Sequence, residues 1–269
     1  MSVNTYYGPS KVYLKHPPDY RTGALIMLVP GQSEGVTHGK ALVDRLAELD
    51  FTVFTFNPPT RRLTEGYSPP DPITRQAKVL HAVGDRFIMA KTETHGVGHA
   101  LGGAALLKAV QLPPENRFSS LVLFDPVGIN ESQTLGEVTK RAANKLVGHY
   151  SQSTGVGHSG RIALAHLASG STIARRPRLA AMEAAASGQY DILEDLAIAK
   201  DMNVPVHVVV SEHAELFDPD RIAWAQEKIT PLVESLTVLD SPEHGHDSFW
   251  VNPEFTAQLI SLLISQSQV

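Results

Sequence analysis

A chain of 269 residues, 42% hydrophobic and 19% charged, lies in the ordinary globular range, and at this length an α/β fold is commonly one domain. A net charge of −5 and a pI near 6.2 give no electrostatic basis for nucleic acid or an anionic membrane as partner, since either favours a basic patch. The absence of cysteine excludes disulfides, thiolate metal sites and a cysteine nucleophile together, and the 12 histidines are scattered, with no pair at helical ligand spacing with a nearby carboxylate in a metalloprotease-like motif.

The N-terminal segment, MSVNTYYGPSKVYLKHPPDY, lacks an apolar run after a basic start, and no stretch reaches bilayer-spanning length, so the expectation is a soluble, cytoplasmic protein. The first clear strand is ALIMLVP (24–30), ending at Gly31. Ala41, Leu42, Leu46 and Leu49 then recur at helical spacing behind Thr37, the expected cap. FTVFTF (51–56) is the next strand and stops at Asn57, Pro58 and Pro59, which cannot continue a ladder. A Pro-rich loop (58–72) leads into a helix over 73–90. THGVGH (94–99) is a weak strand by composition, and Leu101 to Val110 is an Ala/Leu-rich helix.

SLVLF (120–124) and VPVHVVV (204–210) have the near-continuous apolar character of sheet interiors. Between them, residues 130–200 carry helical patterns (Leu135, Val138, Ala142, Leu146; then 161–169 and 178–199) and no good strand, as expected of an inserted helical cap. Arg175, Arg176 and Arg178 solvate a helix end within it. The last helix opens on Asn252 and Pro253, then buries Phe255, Leu259 and Leu262 or Leu263. Apolar strands alternating with helices predict an α/β fold with a mostly parallel central sheet, its core formed by 1–129 and 201–269 and its cap by 130–200.

Strand, then GVGHALGG (96–103), then helix is the setting of a nucleophile elbow, whose strained turn and close helix packing require the glycines found at 98, 102 and 103. This segment closely resembles the GHSLGG elbow of the α/β-hydrolases, with alanine at position 100 where serine stands in that family. The order of strands, the glycine after the first core strand, the cap and the late histidine extend the resemblance over nearly the whole chain. A second match, GVGHSG (155–160) with Ser159, follows polar SQST rather than a strand and has Arg161 where the closing glycine belongs.

The resemblance implies the remaining roles. VPGQSEG (29–35) follows the first core strand, so the backbone N–H groups of Gln32 and Leu101 are the candidate oxyanion donors. In HGHDSFWVNPEF (244–255), His246 is the candidate general base and His244 the second choice. The family's acid follows the strand corresponding to VPVHVVV in a pattern like Gly-x-x-Asp, which sets Ala214 at the aspartate. Glu212, Glu215 and Asp218 are near enough to substitute, and Asp125, ending SLVLF, stands in an Asp-Pro context like that of some lipases. Asp125 ranks slightly ahead of Glu215, although a strand-end turn former explains Asp125 equally well.

Three functions fit. One is a serine hydrolase of esters, amides or lipophilic carbonyl compounds that lacks its attacking group. Another is a pseudoenzyme binding a small apolar ligand or a protein partner in the hydrolase pocket. A third uses His246 as a base in cofactor-free proton abstraction. The expected partner is a small, apolar, carbonyl-bearing substrate or ligand, whose pocket the cap residues His149, Tyr150 and His166 would shape. The resemblance implies no cofactor and no metal, and the sequence leaves oligomeric state open.

Overall fold

The computed structural model describes residues 2–5, 8–17, 24–31, 36–57, 71–87, 93–113, 118–129, 182, 185–212, 220–240 and 248–267. Eight strands form one sheet: β1 (Ser2–Thr5), β2 (Gly8–Lys15), β3 (Leu25–Val29), β4 (Thr52–Phe56), β5 (Thr94–His99), β6 (Ser120–Phe124), β7 (Val206–Ser211) and β8 (Ser235–Leu239), in the order β1-β2-β4-β3-β5-β6-β7-β8. The first two pairings, β1 with β2 and β2 with β4, are antiparallel, and the other five are parallel.

Helices cover both faces. On one side α2 (Pro72–Phe87), α3 (Leu101–Val110), α4 (Ile192–Asp201) and α5 (Arg221–Lys228) pack against Leu25, Met27, Phe54, Leu121, Leu123 and Val208. On the other, α1 (Val36–Glu48), α6 (Ser248–Val251) and α7 (Pro253–Gln266) pack against Ile26, Leu28, Val53, Val97, Val122 and Val209. Alternate residues of each central strand thus enter opposite cores, which is why these strands are near-continuous apolar runs. THGVGH is fully buried along its length despite its polar composition, because its neighbours β3 and β6 supply the pairing and Gly96 makes room for Leu106 and Leu121.

The structure revises several expectations. Helix α1 begins at Val36, so Thr37 lies inside it; the Val36 N–H is capped from across the sheet by Asn57 Oδ1 at 2.8 Å. Leu49 is not on the buried face, because α1 ends at Glu48 and the chain turns through Asp50 in a left-handed conformation (φ 67), leaving Leu49 40% exposed. Of the two leucines on α7, Leu263 is buried and Leu262 exposed, while Asn252 caps the Phe255 N–H as expected.

The helical pattern over 178–199 is divided: a helical run (185–189) ends before Tyr190, and Asp191 caps α4 by accepting from the Leu193 N–H. Within the stretch assigned to the cap, α4 contributes Ile192, Leu196 and Ala199 to the core beside α3, held there by Asp195. That buried carboxylate accepts from Lys108 Nζ (2.7 Å), Gln111 Nε2 (2.6 Å) and the Tyr190 hydroxyl. Burial and the charge of Asp195 hold the Tyr190 phenol well above its ordinary pKa, so it remains a donor. Residues 130–181, with His149, Tyr150, Ser159, His166 and the three arginines, lie outside the described residues. Among the described residues no helix is long and apolar enough to cross a membrane.

A buried polar row crosses the sheet near the amino ends of its strands, on the α7 face. His95 Nδ1 lies 2.8 Å from Ser120 Oγ, and His207 bridges Ser235 Oγ (2.8 Å) and Ser267 Oγ (2.7 Å). Burial lowers both imidazole pKa values below 6.5, outweighing Glu93 beside His95 and Glu234 beside His207. The unfolded chain therefore binds protons that the native protein refuses. Stability from this source is complete above about pH 6.5 and is lost as pH falls through the folded values. The urea midpoint should drop between about pH 8 and about pH 5, and a His95→Asn/His207→Gln double variant should flatten that slope.

Candidate functional site

The site is built where β5 passes into α3. Ala100 occupies that turn at φ 49, ψ −117, with no side-chain cap for the helix that follows. Its N–H donates to Phe124 O (3.0 Å), and its carbonyl accepts from Gly103 N (3.1 Å) and Val127 N (3.4 Å), so its backbone is locked to the end of β6. The residue keeps 7% exposure, whereas the alanines deeper in α3 keep at most 1%. Leu101 is the first residue of α3, and the N–H at such a position has no acceptor within its own helix.

The glycines permit this arrangement by letting backbones meet. A methyl group on Gly98 would lie 2.7 Å from Gly103 N and Cα, and one on Gly102 would press into the Val29 carbonyl and sit 2.6 Å from Pro30 O. The first turn of α3 therefore abuts the end of β3, where the segment leading to Gln32 begins. Gln76 of α2 fixes that same point by donating from Nε2 to Pro30 O at 2.8 Å, within the buried interior.

Beneath the turn lies an aromatic cluster. The His99 imidazole stacks on Phe249 at 4.9 Å and 5°, and Trp250 meets His99 edge-on at 5.9 Å. Phe249 also touches Phe124 and Trp250 at 4.8 and 4.4 Å. Since α6 carries Phe249 and Trp250, two residues that follow the His244–His246 segment by three and four positions are seated against His99, the last residue of β5.

Asp125 follows β6 at φ 40, next to the Ala100 turn, and is 2% exposed. Its N–H donates to Val209 O at 2.8 Å. Its Oδ1 accepts from the Ser211 N–H (2.8 Å) and from Arg221 Nη2 (3.2 Å), and the same Nη2 donates to the Ser211 carbonyl. Arg221 is itself 2% exposed; burial lowers its pKa and the Asp125 charge and hydrogen bond work against that shift.

Ala100, Leu101 and Asp125 are thus brought together. Glu212 stands exposed at the end of β7, its N–H donating to Leu239 O. Gln32, Ala214, Glu215, Asp218, His244 and His246 lie outside the described residues. Two residues at this end of the sheet, Arg221 and Gln76, escaped the sequence reading, because an arginine opening a helix and a glutamine in an amphipathic one both carry the pattern of surface positions. Among the described residues no group of three or more His, Asp or Glu side chains could hold a metal ion.

No model of a known protein family matches the chain, and no curated protein matches it in sequence. Solved structures match it in fold. A membrane phospholipase A described as a bacterial virulence factor superposes at a TM-score of 0.72 with 16% identity, over 100% of this chain and 86% of that one. A thermophilic esterase from Thermogutta terrifontis gives 0.68 and 16%, covering 100% and 99%. A serine-to-alanine variant of an N-formylmaleamic acid deformylase from Pseudomonas putida gives 0.63 and 20%, covering 97% and 99%. With its strand order, its parallel centre and helices on both faces, the chain has the α/β-hydrolase fold.

Proposed function

We propose that this is a serine-hydrolase scaffold of the esterase or acyl-hydrolase type in which residue 100 keeps the nucleophile's place without a nucleophile. As it stands, the protein binds a small apolar carbonyl compound and does not turn it over. The observation that carries this reading is the backbone of Ala100. A residue at φ 49, ψ −117 costs on the order of 1–3 kcal/mol, and alanine neither relieves that strain nor caps α3. Such a conformation raises a side chain from the top of a central strand, which is what an attacking hydroxyl needs and a methyl group does not.

The supporting parts follow from the same turn. The Leu101 N–H, with that of Gln32, is the oxyanion donor pair; His246, just ahead of the helix seated on His99, is the base; the acid is Asp125, buried beside the turn, or Glu215, in the segment after β7. With serine at residue 100, Oγ attacks the ester carbonyl while the imidazole takes its proton and passes it to the departing alcohol. Water then releases the acid from the acyl-enzyme by the same proton path.

Two measurements test this. Ala100→Ser, assayed on p-nitrophenyl esters of graded chain length, should hydrolyse at least one of them; failure on all of them sinks the hydrolase reading. Native mass spectrometry of the unaltered protein titrated with those esters should show a bound, uncleaved complex, and the absence of any complex sinks the binding reading.

A further inference from the structure

Strand β3 ends at Val29, where it pairs with Gly98, and the chain then leaves the sheet through Pro30. The Pro30 carbonyl lies beyond the ladder, yet two helices meet at it. Gln76 of α2 donates to it from Nε2 at 2.8 Å, and Gly102 in the first turn of α3 lies so close that an added methyl would come within 2.6 Å of it. Gln76 is only 3% exposed, on a helix that also buries Ile73, Ala77 and Leu80. An apolar side chain of that length would pack there without the cost of burying an amide, so what the glutamine adds is the bond to Pro30.

The turn at residue 100 is thus held from two sides. Towards β6, the Ala100 backbone is tied to Phe124 and Val127. Towards β3, the first turn of α3 bears on the Val29 and Pro30 carbonyls, and Gln76 holds the second of these. Leu101, whose N–H has no acceptor within α3, stands between the two anchors. Resting on the reading of residue 100 and of the Leu101 N–H given above, we propose that Gln76 is a positioning residue. By fixing the Pro30 carbonyl against which Gly102 is seated, it sets the direction in which the Leu101 N–H points.

Charge develops on a substrate carbonyl oxygen only as the nucleophile adds, so a donor aimed at that oxygen lowers the barrier more than it strengthens binding. A shifted first turn of α3 should therefore appear in kcat and spare KM. Loss of a whole oxyanion donor costs about 10²–10³ in kcat, and a displaced donor should cost less. Two substitutions separate the bond from its packing. Gln76→Met keeps the length and removes the donor. Gln76→Glu keeps the shape, and its ionised carboxylate has no hydrogen to give; once protonated, at a pH raised by burial, the carboxyl donates again.

The first arm of the test needs no catalysis. In the unaltered chain at about pH 8, either substitution should quicken hydrogen exchange of the Gly103 amide, which bonds to the Ala100 carbonyl. The effect there should be about tenfold greater than at the Val122 and Leu123 amides of β6. At about pH 5, against the parent at the same pH, Gln76→Glu should regain the parental Gly103 rate and Gln76→Met should not. The second arm adds each substitution to the Ala100→Ser protein and uses p-nitrophenyl acetate at about pH 8. There kcat should fall about tenfold to hundredfold, with KM changed by less than about threefold. An unaltered kcat, or a loss confined to KM, overturns the proposal. So does exchange that quickens equally at Gly103 and in β6, the mark of a fold that is merely weaker. If Gln76→Met does not fold, Gln76→Glu read at the two pH values carries the same comparison. Should Ala100→Ser hydrolyse nothing, the hydrolase reading fails by itself and the exchange arm decides alone: quickening concentrated at Gly103 supports the seating of α3 by Gln76, and unchanged Gly103 exchange rejects it.

Discussion

Ala100→Ser is expected to raise the rate of ester hydrolysis by up to about 10⁶ over the unaltered protein, the factor that loss of the nucleophile costs a serine hydrolase whose other parts remain. The size of the change follows from what the turn already supplies. The Ala100 backbone is fixed by three hydrogen bonds, so a hydroxyl added to its Cβ enters a preset direction and the substitution requires no rearrangement of β5, α3 or β6. What remains without it is binding and oxyanion stabilisation, which in such enzymes leave about 10³–10⁴ over water. A pH profile of kcat/KM for the serine variant, rising through the range of an imidazole, would tie the new activity to a histidine base. A rate gain of less than about tenfold on every ester would mean that the scaffold lacks a working base or acid as well.

Gly102→Ala is expected to destabilise the protein by about 3 kcal/mol or more, because the added methyl meets backbone rather than side chain. Its neighbours would be the carbonyl groups of Val29 and Pro30, the second of which is already held by Gln76. Neither can withdraw without breaking the end of β3 away from α3. For a protein of this size the loss corresponds to a fall in Tm of roughly 6–12 °C, measurable by scanning calorimetry. Gly96→Ala is the control, since the atoms it would crowd are the methyl ends of Leu106 and Leu121, which can rotate aside. Equal melting temperatures for the two variants would refute the close-approach argument. Combined with Ala100→Ser, Gly102→Ala should also depress kcat by displacing the Leu101 N–H.

The central sheet was legible because burial on both faces writes itself as uninterrupted apolar runs, and β3, β4, β6 and β7 stand where those runs are. The edges were not. β8 is only half-buried throughout, and β1 and β2 pair antiparallel beyond β4 with Pro, Lys and Ser among their residues, so neither edge shows the pattern of an enclosed strand. Helix ends were hidden for another reason: Asp50 and Asn203 turn the chain at φ 67 and 55 where a glycine would have announced the stop. At the site, the glycines of GVGHALGG revealed the turn because sterics leave few alternatives there. The ion pair of Asp125 with Arg221 could not be read, since the two lie 96 positions apart in the chain and only the packing of α5 against the ends of β6 and β7 brings them together.

The packing of Phe249 and Trp250 against His99 gives the protein an optical probe of its own. Of its two tryptophans, Trp224 sits on α5 and is half-buried, while Trp250 lies edge-on to the imidazole directly preceding Ala100. With Trp224 changed to Phe, the emission of the remaining indole should shift or quench when a ligand fills the space above the turn. Affinities could then be measured by fluorescence titration on a protein that performs no reaction, with no label attached.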